Sequence, residues 1–141
     1  MKPLYTAVAT AHGGRQGHVT SNDGALDLDT ATPKSMGGPG GVGTNPEQLF
    51  AAGYAACFQS AMMYVAGMQK IDASGSTVTG HVSIGPNEGG PGFMLAVKHV
   101  VSLPKLDQAA AEKLVHDAHQ VCPYSYATRG NVVVDFDVQG G

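Results

Sequence analysis

Two cysteines, two arginines and one glutamate at a helix start are the residues of this chain best suited to chemistry. Cys57 and Cys122 are its only sulfhydryls, and each falls among apolar neighbours. The N-terminus runs from Met1-Lys2-Pro3 straight into a strand-like pattern, without an apolar leader, so the expected setting is a reducing, cytoplasmic compartment. There a pair of thiols is more often catalytic or redox-active than structural. Burial by itself raises a thiol's pKa and makes it inert, so a reactive Cys57 needs a cation close by. Arginine suits that role because it stays charged away from water. The candidates are Arg15, in a glycine-rich turn, and Arg129. Glu47 is able to hold a guanidinium through a two-pronged ion pair, although an acid in a first helical turn is also favoured by the helix dipole alone.

Spacing constrains how these groups meet. Glu47 and Cys57 lie ten residues apart, about 15 Å along one helix. One guanidinium does not readily touch both within a single chain. If both serve one site, different protomers supply them and the active form is an intertwined homodimer. A competing arrangement is His116, His119 and Cys122, which recur every three residues and form a possible metal-ligand stripe. Strict three-residue spacing drifts around a helix and no fourth ligand is evident, so exposed helix histidines and no metal are expected. Gly38, Gly40 and Gly43 formally match a G-x-G-x-x-G pattern. No hydrophobic strand precedes them, Pro39 interrupts them and no acid follows at the required distance, which excludes dinucleotide binding. A non-enzymatic module using an apolar pocket is the remaining alternative, and it would tolerate loss of the Cys57 thiol.

The element that must position Cys57 runs from Asn45 to Lys70. Asn45 is a good N-cap, Pro46 suits the first helical position, and Gln48 stands where its side chain reaches back to the cap. No residue from Gln48 through Gln69 is charged. Such a helix is expected to be covered almost all round, with Gln48, Gln59 and Lys70 as its water-facing stripe and Cys57 opposite, beside Phe50, Tyr54, Ala61 and Tyr64. Its length would span a bilayer, but it is rich in Ala and Gly, carries Gln59-Ser60 at its middle and lacks basic flanks, which reads as a core helix.

Around it, Leu4–Thr10 and His18–Ser21 read as strands joined by the Gly13–Gly17 turn, with Leu26–Leu28 after the Asn22-Asp23-Gly24 turn. Residues 31–44 read as loop. Thr77–Ile84 and Phe93–Leu103 alternate like half-buried strands, Asp107 caps a helix from Gln108 to about Cys122, and a short turn leads to a last strand, Asn131–Val138. Strands grouped around helices predict an α+β class in a single domain of 141 residues. Charged residues are only 13 % of the chain, against about 25 % in average domains, which suggests surface hidden against a second copy. A net charge of −3 and scattered basic residues argue against nucleic acid or a membrane surface as partner.

These residues together resemble the organic hydroperoxide resistance family, within the group that includes osmotically inducible protein C. The carriers are Gly13-Gly14-Arg15, Gly37–Gly41, the run Asn45–Phe58 with its Ala-Ala-Gly-Tyr-Ala-Ala-Cys core, Val121–Ser125 and Ala127–Asn131. The resemblance implies an OsmC-like fold, two antiparallel β-sheets around long central helices in an intertwined homodimer. It implies a thiol peroxidase for alkyl and fatty-acid hydroperoxides, with Cys57 peroxidatic, Cys122 resolving through an intrachain disulfide, Arg15 stabilising the thiolate and Glu47 orienting Arg15. It also implies no bound cofactor and reduction by dihydrolipoyl groups of a lipoylated protein. For the substrate's alkyl chain, Met36, Phe50, Phe93, Met94 and Tyr124 are the candidate lining residues.

Overall fold

The computed structural model describes all residues, Met1–Gly141, and they fall into two compact units, Met1–Leu49 and Phe50–Gly141. In the first, strands β1 (Ala9–His12), β2 (His18–Ser21) and β3 (Asp27–Asp29) form an antiparallel meander. β1 is shorter and later than the expected Leu4–Thr10. The Gly13–Gly17 turn sets the register, pairing Ala9 with Ser21, and beyond Ser21 the partner strand turns away at Asn22-Asp23-Gly24. Leu4 and Tyr5 therefore have strand propensity without a strand to pair with, and both are exposed. A single 3₁₀ turn, Lys34–Met36, interrupts the loop before the first long helix, α1 (Pro46–Gln69).

The start of α1 follows from its sequence. Asn45 Oδ1 accepts from the Gln48 amide at 2.9 Å. The Gln48 side chain accepts from Thr44 Oγ1 instead of reaching back to the Asn45 amide.

In the second unit, β4 (Thr77–Pro86), β5 (Phe93–Leu103) and β6 (Val133–Gly140) make a sheet in sequence order, followed through by α2 (Gln108–Val121) and the short α3 (Pro123–Thr128) between β5 and β6. This sheet departs from the all-antiparallel expectation. β4 and β5 are antiparallel but β5 and β6 are parallel, because the helical crossover through α2 and α3 returns the chain to the end from which β5 began. The expected turn after Cys122 is itself helical, with Pro123 at its first position. Asp107 caps α2, accepting from the Ala110 amide at 2.8 Å.

The core lies between this sheet and the helices. Along β5, Val97, His99, Val101 and Leu103 are buried while Lys98 points outward, the period-2 signature of a sheet covered on one face. Tyr54, Phe58, Met62, Val65 and Ala66 of α1 and Ala111, Leu114, Val115 and Ala118 of α2 complete it. The helix lies close: a Cβ at Gly80 would stand 2.9 Å from the Ala51 carbonyl oxygen. α1 passes as a membrane span by length and composition, yet its buried residues close a core of sheet and helix.

Its burial also departs from expectation. One side is covered and the other, through Ala52, Ala56, Ser60, Met63 and Gly67, is exposed, because the core supplies cover on one side only. Gln59 is not in the water-facing stripe; its amide donates to the Ser76 carbonyl at 2.9 Å. Cys57 consequently sits at the edge of the buried side rather than at its centre.

Candidate functional site: a thiol pair and an arginine–glutamate pair

In the first unit, Arg15 sits in a turn that only its glycines permit. Gly13 and Gly14 have φ of 72° and 57°, the left-handed region where a side chain is strained. The Thr30 hydroxyl accepts from the Gly17 amide at 2.7 Å and donates to the Gly14 carbonyl at 2.9 Å, tying the turn shut. Arg15 projects from it and donates through both terminal nitrogens to Glu47, at 2.7 and 2.6 Å. This is the fork-to-fork arrangement that fixes both position and orientation. The Glu47 hydrogen bond pushes the arginine's pKa up, and the arginine in turn lowers that of Glu47. Both stay ionised at neutral pH.

In the second unit the sulfurs of Cys57 and Cys122 are 3.7 Å apart, both as free thiols. Cys57 is half-buried on α1; Cys122, at the junction of α2 and α3, is fully buried. The separation exceeds the bond length of about 2.05 Å, so the two sulfurs are adjacent and unbonded. Burial pushes the Cys57 thiol above its ordinary range, and the neighbouring Cys122 adds to the shift. The backbone amide of Tyr124 works the other way. None of these influences is a cation, so this unit by itself keeps Cys57 protonated at neutral pH.

A hollow of about 410 Å³ opens beside Cys57, lined also by Ser60, Ala61, Tyr64, Val121 and Pro123. Of the residues expected to line the approach, Phe50 and Tyr124 come together in this unit, their rings 6.4 Å apart, and Tyr124 also packs on Tyr54. α1 and α3 approach closely here, since a Cβ at Gly53 would lie 3.3 Å from the Tyr124 hydroxyl. Phe93 and Met94 line a separate hollow with Asn87 and Asn131. Met36 lies in the first unit, partly exposed on the 3₁₀ turn. Ala61 and Tyr64 were within reach of sequence reasoning, because a 100° step places both on the face of Cys57.

The alternative cation is otherwise engaged: Arg129 donates to the His119 carbonyl at the end of α2, at 2.6 Å. The metal stripe is not assembled either. His119 Nδ1 is bonded to Ser125 at 2.7 Å, and no three potential ligands gather into a metal-binding group.

Comparison with known proteins extends these observations. Residues 38–137 match the family model described as OsmC-like protein. The organic hydroperoxide resistance protein of Xanthomonas axonopodis pv. citri is 52% identical over 134 residues, 94% of this chain and 93% of that protein. OhrB of Bacillus subtilis, also an organic hydroperoxide resistance protein, is 50% identical over 136 residues, 96% and 98% of the two chains. Among solved structures, an organic hydroperoxide resistance protein from Legionella pneumophila superposes with a TM-score of 0.92 at 53% identity, covering 98% of this chain and 99% of the other. One from Elizabethkingia anophelis gives 0.93 at 48% identity over the whole of both chains.

Proposed function

The chain belongs to the OsmC-like family, and from that membership and its adjacent thiols we propose that it protects against organic hydroperoxides as a cysteine-based peroxidase. The observation that carries the reading is the 3.7 Å separation of two free sulfurs, one half-exposed beside an apolar hollow and one buried behind it.

The Cys57 thiolate attacks the distal oxygen of the hydroperoxide. The O–O bond breaks, the alkoxide leaves and takes up a proton as the alcohol, and the sulfur is oxidised by two electrons to a sulfenic acid. The Cys122 sulfur then attacks that of Cys57. Water departs with the sulfenic oxygen and an intrachain disulfide remains. A dithiol, taken here to be a dihydrolipoyl group of a lipoylated protein, reduces the disulfide and is itself oxidised, restoring both thiols.

The first step needs an anion at Cys57, whose own surroundings favour the protonated form. Arg15 supplies the missing charge in this reading, stabilising the thiolate and the negative charge that develops on the leaving oxygen. Glu47 holds the guanidinium in one orientation. With Glu47 and Cys57 ten residues apart on α1, about 15 Å of helical rise, the partner protomer of a homodimer supplies the arginine. The apolar and uncharged outer side of α1 supports such a dimer.

The hollow's lining favours an alkyl or fatty-acyl peroxide over hydrogen peroxide. The deciding experiment is mass spectrometry after one equivalent of cumene hydroperoxide. A mass loss of two hydrogens, with a Cys57–Cys122 linked peptide, is expected; two intact thiols after the peroxide has been offered would overturn the reading. A kcat/KM for cumene hydroperoxide no higher than that for hydrogen peroxide would overturn the substrate class.

A further inference from the structure

A chain of polar side chains runs through the apolar core directly behind the thiol pair. Tyr54 is fully buried, and its hydroxyl lies 2.9 Å from Ser125 Oγ and 3.2 Å from Thr128 Oγ1. Ser125, also fully buried, lies 2.7 Å from His119 Nδ1. One hydroxyl thus joins α1, α2 and α3. Burial, aided by Arg129 and His116, pushes the His119 pKa down. The imidazole is therefore neutral at neutral pH, and its tautomer sets the direction of the hydrogen bonds along His119, Ser125 and Tyr54.

The placement matters more than the chemistry. Tyr54 precedes Cys57 by three residues on α1, and Ser125 follows Cys122 by three at the start of α3. The Tyr54–Ser125 bond and the sulfur–sulfur approach therefore bridge the same two segments, about one helical turn apart. The Tyr54 ring is held in turn by an edge contact with the buried His99, centroids 4.4 Å apart. Apolar packing at this point would allow α3 to slide; a directional bond between fully buried groups does not.

We infer that Tyr54 and Ser125 are positioning residues, clasping α3 to α1 so that the Cys122 sulfur is held against Cys57 for disulfide formation. This rests on the reading of Cys57 and Cys122 as a peroxidatic and resolving pair. On it, the clasp acts on the second chemical step, in which Cys122 displaces water from the sulfenic acid, and not on the first.

The test uses the full-length chain and its Tyr54→Phe, Ser125→Ala and Ser125→Thr variants, equilibrated in mixtures of reduced and oxidised dithiothreitol. The fraction of intrachain disulfide is read by alkylation and mass. Tyr54→Phe and Ser125→Ala are expected to lower the effective concentration of the pair about tenfold, and Ser125→Thr, which keeps the hydroxyl, by no more than about twofold. After one equivalent of cumene hydroperoxide, trapping of the sulfenic acid should proceed at the parent rate while disulfide formation slows by the same factor. Val101→Ala, a core truncation in β5, loses stability but should leave the equilibrium in place.

Parent-like disulfide equilibria in Tyr54→Phe and Ser125→Ala would overturn the clasp, as would an equal shift in Val101→Ala. A parent chain that never forms the bridge in oxidised dithiothreitol would overturn it too. A parent that forms the bridge in dithiothreitol but ignores the hydroperoxide sinks the peroxidase reading alone.

Discussion

The groups best suited to chemistry sit in opposite electrostatic settings in the two units. In Met1–Leu49, ionic groups are kept charged and partly in water: Arg15 with Glu47, and His18 between Asp29 and Asp27 at 2.6 and 2.5 Å. In Phe50–Gly141 the groups that matter are withdrawn from water: Cys122 fully, Cys57 in part at the core's edge, and His99, whose two ring nitrogens have no hydrogen-bond partner. The histidines make the contrast sharpest. Asp29, then Asp27, raise the pKa of His18, while burial lowers that of His99 to about 4. Neither setting alone makes a reactive thiolate. A sulfur needs shelter to meet an apolar peroxide and a cation to stay ionised, and a dry core supplies only the first.

The predictions test whether the proposed chemistry needs both. Removing the sulfur has the largest effect: Cys57→Ser should lower peroxidase turnover by roughly a thousandfold or more, and a variant retaining even a tenth of the activity would take the reacting role away from Cys57. Arg15→Ala comes next, with kcat/KM down about 10²-fold or more and the Cys57 titration, followed by thiolate absorbance, displaced upward. Should that titration stay in place, Arg129 inherits the role. Arg15→Lys should rescue little, since a point charge does not reproduce the two-pronged contact with Glu47. Cys122→Ser should permit one oxidation and then stall, with overoxidation to the sulfinic acid visible by mass.

The smallest effect concerns stability. His99 has a folded pKa below its ordinary 6.5, so it favours the fold above about pH 6.5 and that contribution fades as pH falls toward and below 4. The full loss is on the order of 3 kcal/mol. His18 has the opposite sign, its contribution being present below pH 6.5 and fading as pH rises through its raised pKa. Urea midpoints from pH 4 to 8 should fall on the acid side in the parent and much less in His99→Leu. Equal acid sensitivity in the two proteins would place the titrating group elsewhere.

Much of this was legible in the residues. The uncharged run after Asn45-Pro46 specified α1 and its cap, alternation specified β4 and β5, and Asp107 specified the start of α2, because each depends on neighbours a few residues away. The two thiols and the arginine–glutamate pair were also named by chemical type, since few other residues in so uncharged a chain suit such work. What local pattern does not carry is where distant segments meet. The parallel pairing of β6 depends on a crossover of some thirty residues, and the depth of Cys57 depends on which side of α1 the core covers. The same holds for the Tyr54–Ser125–His119 chain. Ser125 reads in sequence as an ordinary turn residue; only packing removes water from its hydroxyl and leaves it to join three helices. Burial is a property of the assembled core, and it decides whether a polar group is decoration or constraint.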